Sequence, residues 1–367
     1  MSVHESLPPG CEPICHGCRH RGRTLESSLA QKGEYLARVL APWADRITAV
    51  RTVPAAQRLG YRDRVTLTAR WDDTSGWRFG LVRRDELIVI HDCPVHTPRV
   101  NALVHLLVTT LPPPARLPLA YLHVAGAQAT LIVKARAIDP EALAPVVAGL
   151  PALGLDGLWV HCHPAAGRRM FARSGWTLAW GAGESRDAQG LQHGPTAFQQ
   201  LLPALHGEAT DLAEQHLRPS PRVAVLDLYC GIGASLRRWR AGGAPSLGVE
   251  LAGGAVAAAA LNAEGATVLR GTCGQRLPQV RDWWSRQLDE RVAYVNPPRS
   301  GLEEEVAGAL AQELRPARLA YLSCSAGTLA RDLAFLERAG YRVDAIHPFD
   351  FFPLTHHVEV LALLTCA

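Results

Sequence analysis

No uninterrupted apolar run in the chain approaches the roughly 18 residues that a membrane-spanning helix needs. The nearest stretch, ALAPVVAGLPALGLDGLWV, is broken by proline and glycine. The opening residues MSVHESLPPGC lack the basic-then-apolar layout of a secretory leader. Both absences point to a cytoplasmic protein without a membrane role. Internal repeats and long low-complexity tracts are missing as well. Lysine is scarce: of 38 lysines and arginines, only Lys32 and Lys134 are lysine. The arginines that remain make forked contacts to phosphate and stack on bases. A GC-rich genome produces the same excess, and a net charge of +4 does not by itself establish a nucleic-acid partner.

Nine cysteines stand at 11, 15, 18, 93, 162, 230, 273, 324 and 366. Without a secretory leader, metal or catalytic use is their default reading rather than a disulfide framework. The 367 residues, 48% of them apolar and 20% charged, suffice for two or three globular domains. Residues 1–34 are polar and cysteine-rich. Residues 35–195 mix helices with short strands such as DRVTLTARW, WRFGLV and ELIVIHDC, an α+β pattern. LPPPARLPL and GAGESRDAQGLQHGP read as loops.

From residue 196 the rhythm becomes α/β. RVAVLDLYC, SLGVEL, ATVLRG, VAYVNPP and RLAYLSC are apolar strands, most followed by a helical segment. That predicts a Rossmann-like parallel sheet covered on both faces. YRVDAIHPFD and HVEVLALLTC, with no helix between them, predict an antiparallel hairpin at its side.

Within VLDLYCGIG, Gly231 and Gly233 allow close backbone approach of a ligand to the start of a helix. Glu250, at the end of the next strand, can accept both hydroxyls of a ribose. The dinucleotide fingerprint wants a third glycine where Leu236 stands. Asp227, four residues before the first glycine, fits the turn of an S-adenosylmethionine site better. Asn296 in VNPPRSGL presents its amide at the carboxyl edge of the sheet, after two prolines that rigidify the turn.

LDLYCGIG, NPPRSGL, YLSCSAGTLARDL and FDFFPLTHHVEVLALL occur in the order seen in the RNA 5-methyluridine methyltransferases. YRDRV and HDCPVHTPRVN resemble central-domain signatures of the same family, so the likeness spans most of the chain. The resemblance implies a class I methyltransferase domain that carries a methyl group from S-adenosylmethionine to C5 of a uridine in RNA. It favours 23S rRNA, with transfer RNA as the alternative, and a monomeric enzyme. Cys324 corresponds to the family's nucleophile and Glu359 to its base. Taken singly, the one reads as a buried structural cysteine and the other as a solvated strand residue; the ordered motifs reverse both readings. A thiol at a helix start is also expected to have a depressed pKa. Tyr229, Gly231, Gly233, Glu250, Asn296 and, from AFQQ, Gln200 are the expected cofactor contacts.

Cys11, Cys15 and Cys18, with Cys93 of DCPV, resemble the family's [4Fe–4S] ligands, although the first loop is two residues shorter. Four thiolates suit tetrahedral zinc equally. Three departures stand out: NPPR for DPPR, SCSA for SCNP, and Leu202 for an asparagine. Asn296 can read uracil, or cytosine if its amide is reversed. Without the family's amino-terminal OB-like domain, RNA recognition is expected from the cluster region, the central domain and Arg62, Arg64 and Arg299, with Phe351 and Phe352 as stacking candidates. An exocyclic-amino methyltransferase and a non-catalytic RNA-binding protein are the rival readings.

Overall fold

A computed structural model describes residues 6–367 except 168 and 288; the opening residues read for a leader lie partly outside the described ones. The chain divides into two compact units, one comprising Arg23–Val53 with Phe198–Ala367, the other the stretch ending at Gly22 with Pro54–Ala197. These limits differ from the sequence-based boundaries near 34 and 195. The helix Leu25–Val39 runs straight across residue 34. Its apolar stripe belongs to the core of the carboxy-terminal unit, where Leu36, Leu40 and Trp43 join the sheet residues.

In the smaller unit a seven-stranded sheet has the order β3-β2-β1-β4-β5-β6-β7. Its strands are β1 Arg64–Asp72, β2 Gly76–Arg83, β3 Glu86–Val89, β4 Leu119–Ala125, β5 Gln128–Val133, β6 Gly157–Cys162 and β7 Trp176–Gly181. Only β5 and β6 are parallel, and the crossover between them holds the short helix Ala144–Gly149. Strand β1 alternates buried and part-exposed residues, so Val65, Leu67 and Ala69 enter the core that the helix Pro98–Thr110 also lines. That helix buries Val100, Leu103, Val104 and Leu107, one stripe at helical spacing. The stretch GAGESRDAQGLQHGP, read as loop, contains a minimal ladder of β8 Ser185–Arg186 and β9 Gln192–His193.

In the larger unit the sheet order is β12-β11-β10-β13-β14-β16-β15. The strands are β10 Val223–Leu228, β11 Ser246–Glu250, β12 Thr267–Arg270, β13 Glu290–Val295, β14 Arg318–Ser323, β15 Tyr341–Phe349 and β16 Glu359–Cys366. Strands β10 to β14 are parallel, and β10 is buried throughout, as its unbroken apolar run requires. The expected carboxy-terminal hairpin forms, with the last strand inserted between β14 and β15. Strand order reverses between β10 and β13, and ligands bind outside the strand ends at such a point.

Candidate active site

The turn after β10 carries the backbone features of a close ligand approach. Tyr229, Gly231 and Gly233 have φ of 62°, 54° and 81°. The first is costly for a residue with a side chain and marks a turn held in place by its surroundings. At Gly233 an added Cβ would sit 2.9 Å from Cα of Ala259 in the helix Gly253–Asn262, whereas at Gly231 it would meet nothing within 4 Å. Gly233 therefore serves packing and Gly231 leaves open space over the turn.

Glu250 ties that turn to the next helix. Its carboxylate accepts from Gly231 N at 3.2 Å and from Ala252 N at 2.8 Å. Two backbone bonds leave further lone pairs for a ribose. Tyr229 donates to Glu303 at 3.4 Å, and Glu303 also accepts from Gly274 N at 3.0 Å. Glu303 was not singled out from sequence; nothing in its motif distinguishes it from the adjacent acids Glu304 and Glu305. Asp227 is fully buried, accepts from Trp239 Nε1 at 2.8 Å, and is pushed up to about 7 by desolvation. Asn296 leaves β13 at the reversal point, its N–H donating to Leu228 O at 3.2 Å.

The register of the last strands brings Cys324 and Glu359 together. Ser323 at the end of β14 pairs with Val360 in β16, so the next residue on each strand, Cys324 and Glu359, faces the same strand ends. Glu359 is 4% exposed and burial raises its carboxyl to about 7. Gln200 Nε2 donates to Glu359 Oε2 at 3.2 Å, while Gln200 Oε1 is buried without a hydrogen-bond partner. The residue expected at the cofactor thus holds the carboxylate. Arg299, expected to contact RNA, lies near enough that its charge lowers the pKa of both the Cys324 thiol and the Glu359 carboxyl.

The expected depression of the thiol pKa is reversed. Burial, then the charge of Glu359, push Cys324 upward, and Arg299 only partly offsets them. A helix does start directly after, at Ala326, but its field is outweighed by desolvation beside a carboxylate. Arg62 and Arg64 are both half-buried; burial lowers the pKa of Arg64, and the charge of Arg62 lowers the pKa of Cys18 and Cys93. Phe351 is fully buried and stacks on Phe349 at 5.3 Å, whereas Phe352 keeps part of its surface exposed.

A buried ion pair supports the segment that leads to Glu359. Lys32 bonds Asp350, both side chains fully buried, and Thr52 Oγ1 donates to Asp350 Oδ2 at 3.1 Å. Nothing in the sequence reading pointed to this pair.

Cys11, Cys15, Cys18 and Cys93 share one neighbourhood, because Cys11, Cys15 and Cys93 each raise the pKa of Cys18, after burial, to about 11. Four thiols in one neighbourhood fit a metal or cluster site in donor chemistry. As placed, though, no three His, Cys, Asp or Glu side chains among the described residues stand close enough together to hold a metal ion.

Residues 280–366 match the model of the tRNA (uracil-5-)-methyltransferase family. An uncharacterised RNA methyltransferase of Oceanobacillus iheyensis is 35% identical over 174 residues, which is 47% of this chain and 38% of that protein. The 23S rRNA (uracil(1939)-C(5))-methyltransferase of Pseudomonas entomophila is 29% identical over 371 residues, 95% of this chain and 77% of that protein. The fold of Pyrococcus abyssi tRNA (uracil-54, C5)-methyltransferase, solved with S-adenosyl-L-homocysteine, aligns with a TM-score of 0.73 at 21% identity, covering 96% of this chain and 86% of that one. Among the described residues no helix is long and apolar enough to cross a membrane.

Proposed function

We propose that the chain is a member of the tRNA (uracil-5-)-methyltransferase family, whose model matches residues 280–366, and that it methylates C5 of a uridine in RNA, 23S rRNA being the favoured target. The observation that carries the reading is the meeting of Cys324, Glu359 and Arg299 at the ends of β14 and β16.

The chemistry explains why these three groups are needed. Uracil C5 is too weak a nucleophile to attack a methyl donor. Addition of the Cys324 thiolate to C6 moves negative charge onto C5 and the C4 carbonyl oxygen. S-adenosylmethionine, when bound over the glycine turn, supplies a methyl group on a positively charged sulfur. Once C5 carries the methyl group, Glu359 takes the remaining C5 proton, the C6–sulfur bond breaks, and the thiolate returns. A carboxyl held near 7 is suited to taking and releasing a proton at neutral pH. Arg299 stabilises the thiolate that burial disfavours. Glu250, Tyr229, Gly231, Gly233 and Asn296 would line the cofactor site, and Gln200 would orient the base.

Cys11, Cys15, Cys18 and Cys93 would bind a [4Fe–4S] cluster, with zinc as the other metal suited to four thiolates. Such a centre would order the polar amino-terminal stretch rather than act in methyl transfer, which is not a redox reaction. The enzyme would act as a monomer in the cytoplasm.

Incubation of the purified chain with S-adenosylmethionine and either 23S rRNA or tRNA transcripts, followed by nucleoside mass analysis, tests the reading. The expected product is 5-methyluridine in the ribosomal transcript. Exclusive formation of 5-methylcytidine or of an N-methylated base would overturn it.

A further inference from the structure

The β6–β7 hairpin carries an aromatic cluster that the residues of the methyl-transfer site do not account for. Its register places His161 opposite Trp176 and Trp159 opposite Leu178. The His161 and Trp176 rings stack at 4.1 Å and 23°. Phe171, from the connection between the strands, lies 5.5 Å from Trp176 at 30°, and Trp159 meets Trp176 edge-on at 6.2 Å.

The rings are fixed in orientation. Trp176 Nε1 donates to Ala172 O, Trp159 Nε1 to Gln128 Oε1, and Ala172 N to His161 Nε2, each at 2.9 Å. The cluster is not a closed core. His161 is fully buried, but Trp159, Phe171 and Trp176 keep part of their surface in solvent, and Leu178 beside them is 39% exposed. Strand β7 is the edge of its sheet.

The segment that carries the hairpin has charge of one sign. No Asp or Glu occurs between Asp156 and Glu184. Arg169 and Arg173 lie in that interval, both exposed and neither in an ion pair among the described residues. Part-exposed, pre-oriented rings flanked by arginines without acids are what an unpaired nucleotide recognises: base on ring, phosphate on guanidinium.

We propose that the β6–β7 hairpin is a stacking platform for an unpaired base of the substrate RNA, with Arg169 and Arg173 on the flanking phosphates. The proposal rests on the RNA methyltransferase reading for the identity of its ligand, but its test does not require methyl transfer. The full chain is titrated into a fluorescein-labelled, single-stranded oligouridylate of about 12 nucleotides, and into a duplex of the same length, across a series of salt concentrations. Phe171→Leu makes no change to the ring hydrogen bonds, and it should raise the single-strand Kd by about tenfold with less effect on the duplex. Arg169→Ser with Arg173→Ser should make the slope of log affinity against log salt shallower by about one to two. These arginines are exposed, so the second variant remains informative if the first folds poorly. In methylation assays the variants should raise KM for RNA rather than lower kcat.

Unchanged affinities and slopes in both variants, or equal loss on single strand and duplex, overturn the platform. So does an intact chain that fails to bind the single strand even at low salt. Methyl transfer with unaltered binding in the variants removes the platform and leaves the enzyme reading standing. Variant-sensitive binding without any methyl transfer does the reverse.

Discussion

Glu359 is the residue whose surroundings set the pH behaviour of the site. Burial raises its carboxyl from the usual carboxylate range to about 7, so the proposed base ionises as pH rises through neutrality. The thiol of Cys324 is raised as well, so its reactive thiolate also grows with pH. Single-turnover methylation should therefore fall as pH drops through about 7 and rise on the alkaline side; a rate flat from pH 6 to 9 contradicts the assignment. The stability effect has the opposite sense. A carboxyl raised on folding contributes stability that is fully present below its unfolded pKa and is lost as pH rises through the folded value. Glu359→Gln should thus leave stability near that of the parent in acid but raise Tm relative to it at pH 8, measured by calorimetry. The same substitution should reduce turnover by ~10^3-fold or more while sparing formation of the covalent adduct. Ordered motifs made Cys324 and Glu359 legible as a pair. The sign of the thiol's shift was not legible, because it depends on burial and on a carboxylate brought beside it by strand register.

At the scale of elements, the glycine turn and the helix Leu25–Val39 carry separate expectations. Gly233 combines a φ of 81° with a Cβ position 2.9 Å from backbone of the neighbouring helix. Gly233→Ala should cost about 1–3 kcal/mol and weaken S-adenosylmethionine binding in calorimetric titration. Equal affinity in the variant would show that the turn does not shape the cofactor site. Lys32→Met removes one member of a fully buried pair and leaves Asp350 charged. The expected loss is about 3–5 kcal/mol in urea unfolding, with much of it recovered by adding Asp350→Leu. The central parallel strands of the larger sheet were visible as apolar runs, since strands covered on both faces need no alternation. What escaped the sequence were non-local placements: insertion of β16 between β14 and β15, and the packing of Leu36, Leu40 and Trp43 on the carboxy-terminal core. Neither leaves a local pattern, because each depends on partners outside its own segment, tens of residues away for β16 and hundreds for Leu36, Leu40 and Trp43.

For the whole molecule, the amino-terminal cysteines and the reaction can be tested apart. Anaerobically purified protein should contain iron with a broad visible absorption, both lost in Cys93→Ser; stoichiometric zinc without that absorption would assign the other metal. RNA affinity should fall steeply with salt, as for any chain that meets phosphate through arginine. The central claim is a sulfur–carbon bond from residue 324 to the base. RNA containing 5-fluorouridine has no C5 proton to surrender, so the reaction should stop after methyl transfer with protein and RNA joined. The measurement is peptide mass spectrometry of that conjugate. The account predicts a methylated fluorouridine attached to the peptide holding Cys324, and no conjugate from Cys324→Ala. A bond at another residue, or undiminished 5-methyluridine formation by Cys324→Ala on ordinary RNA, would contradict it.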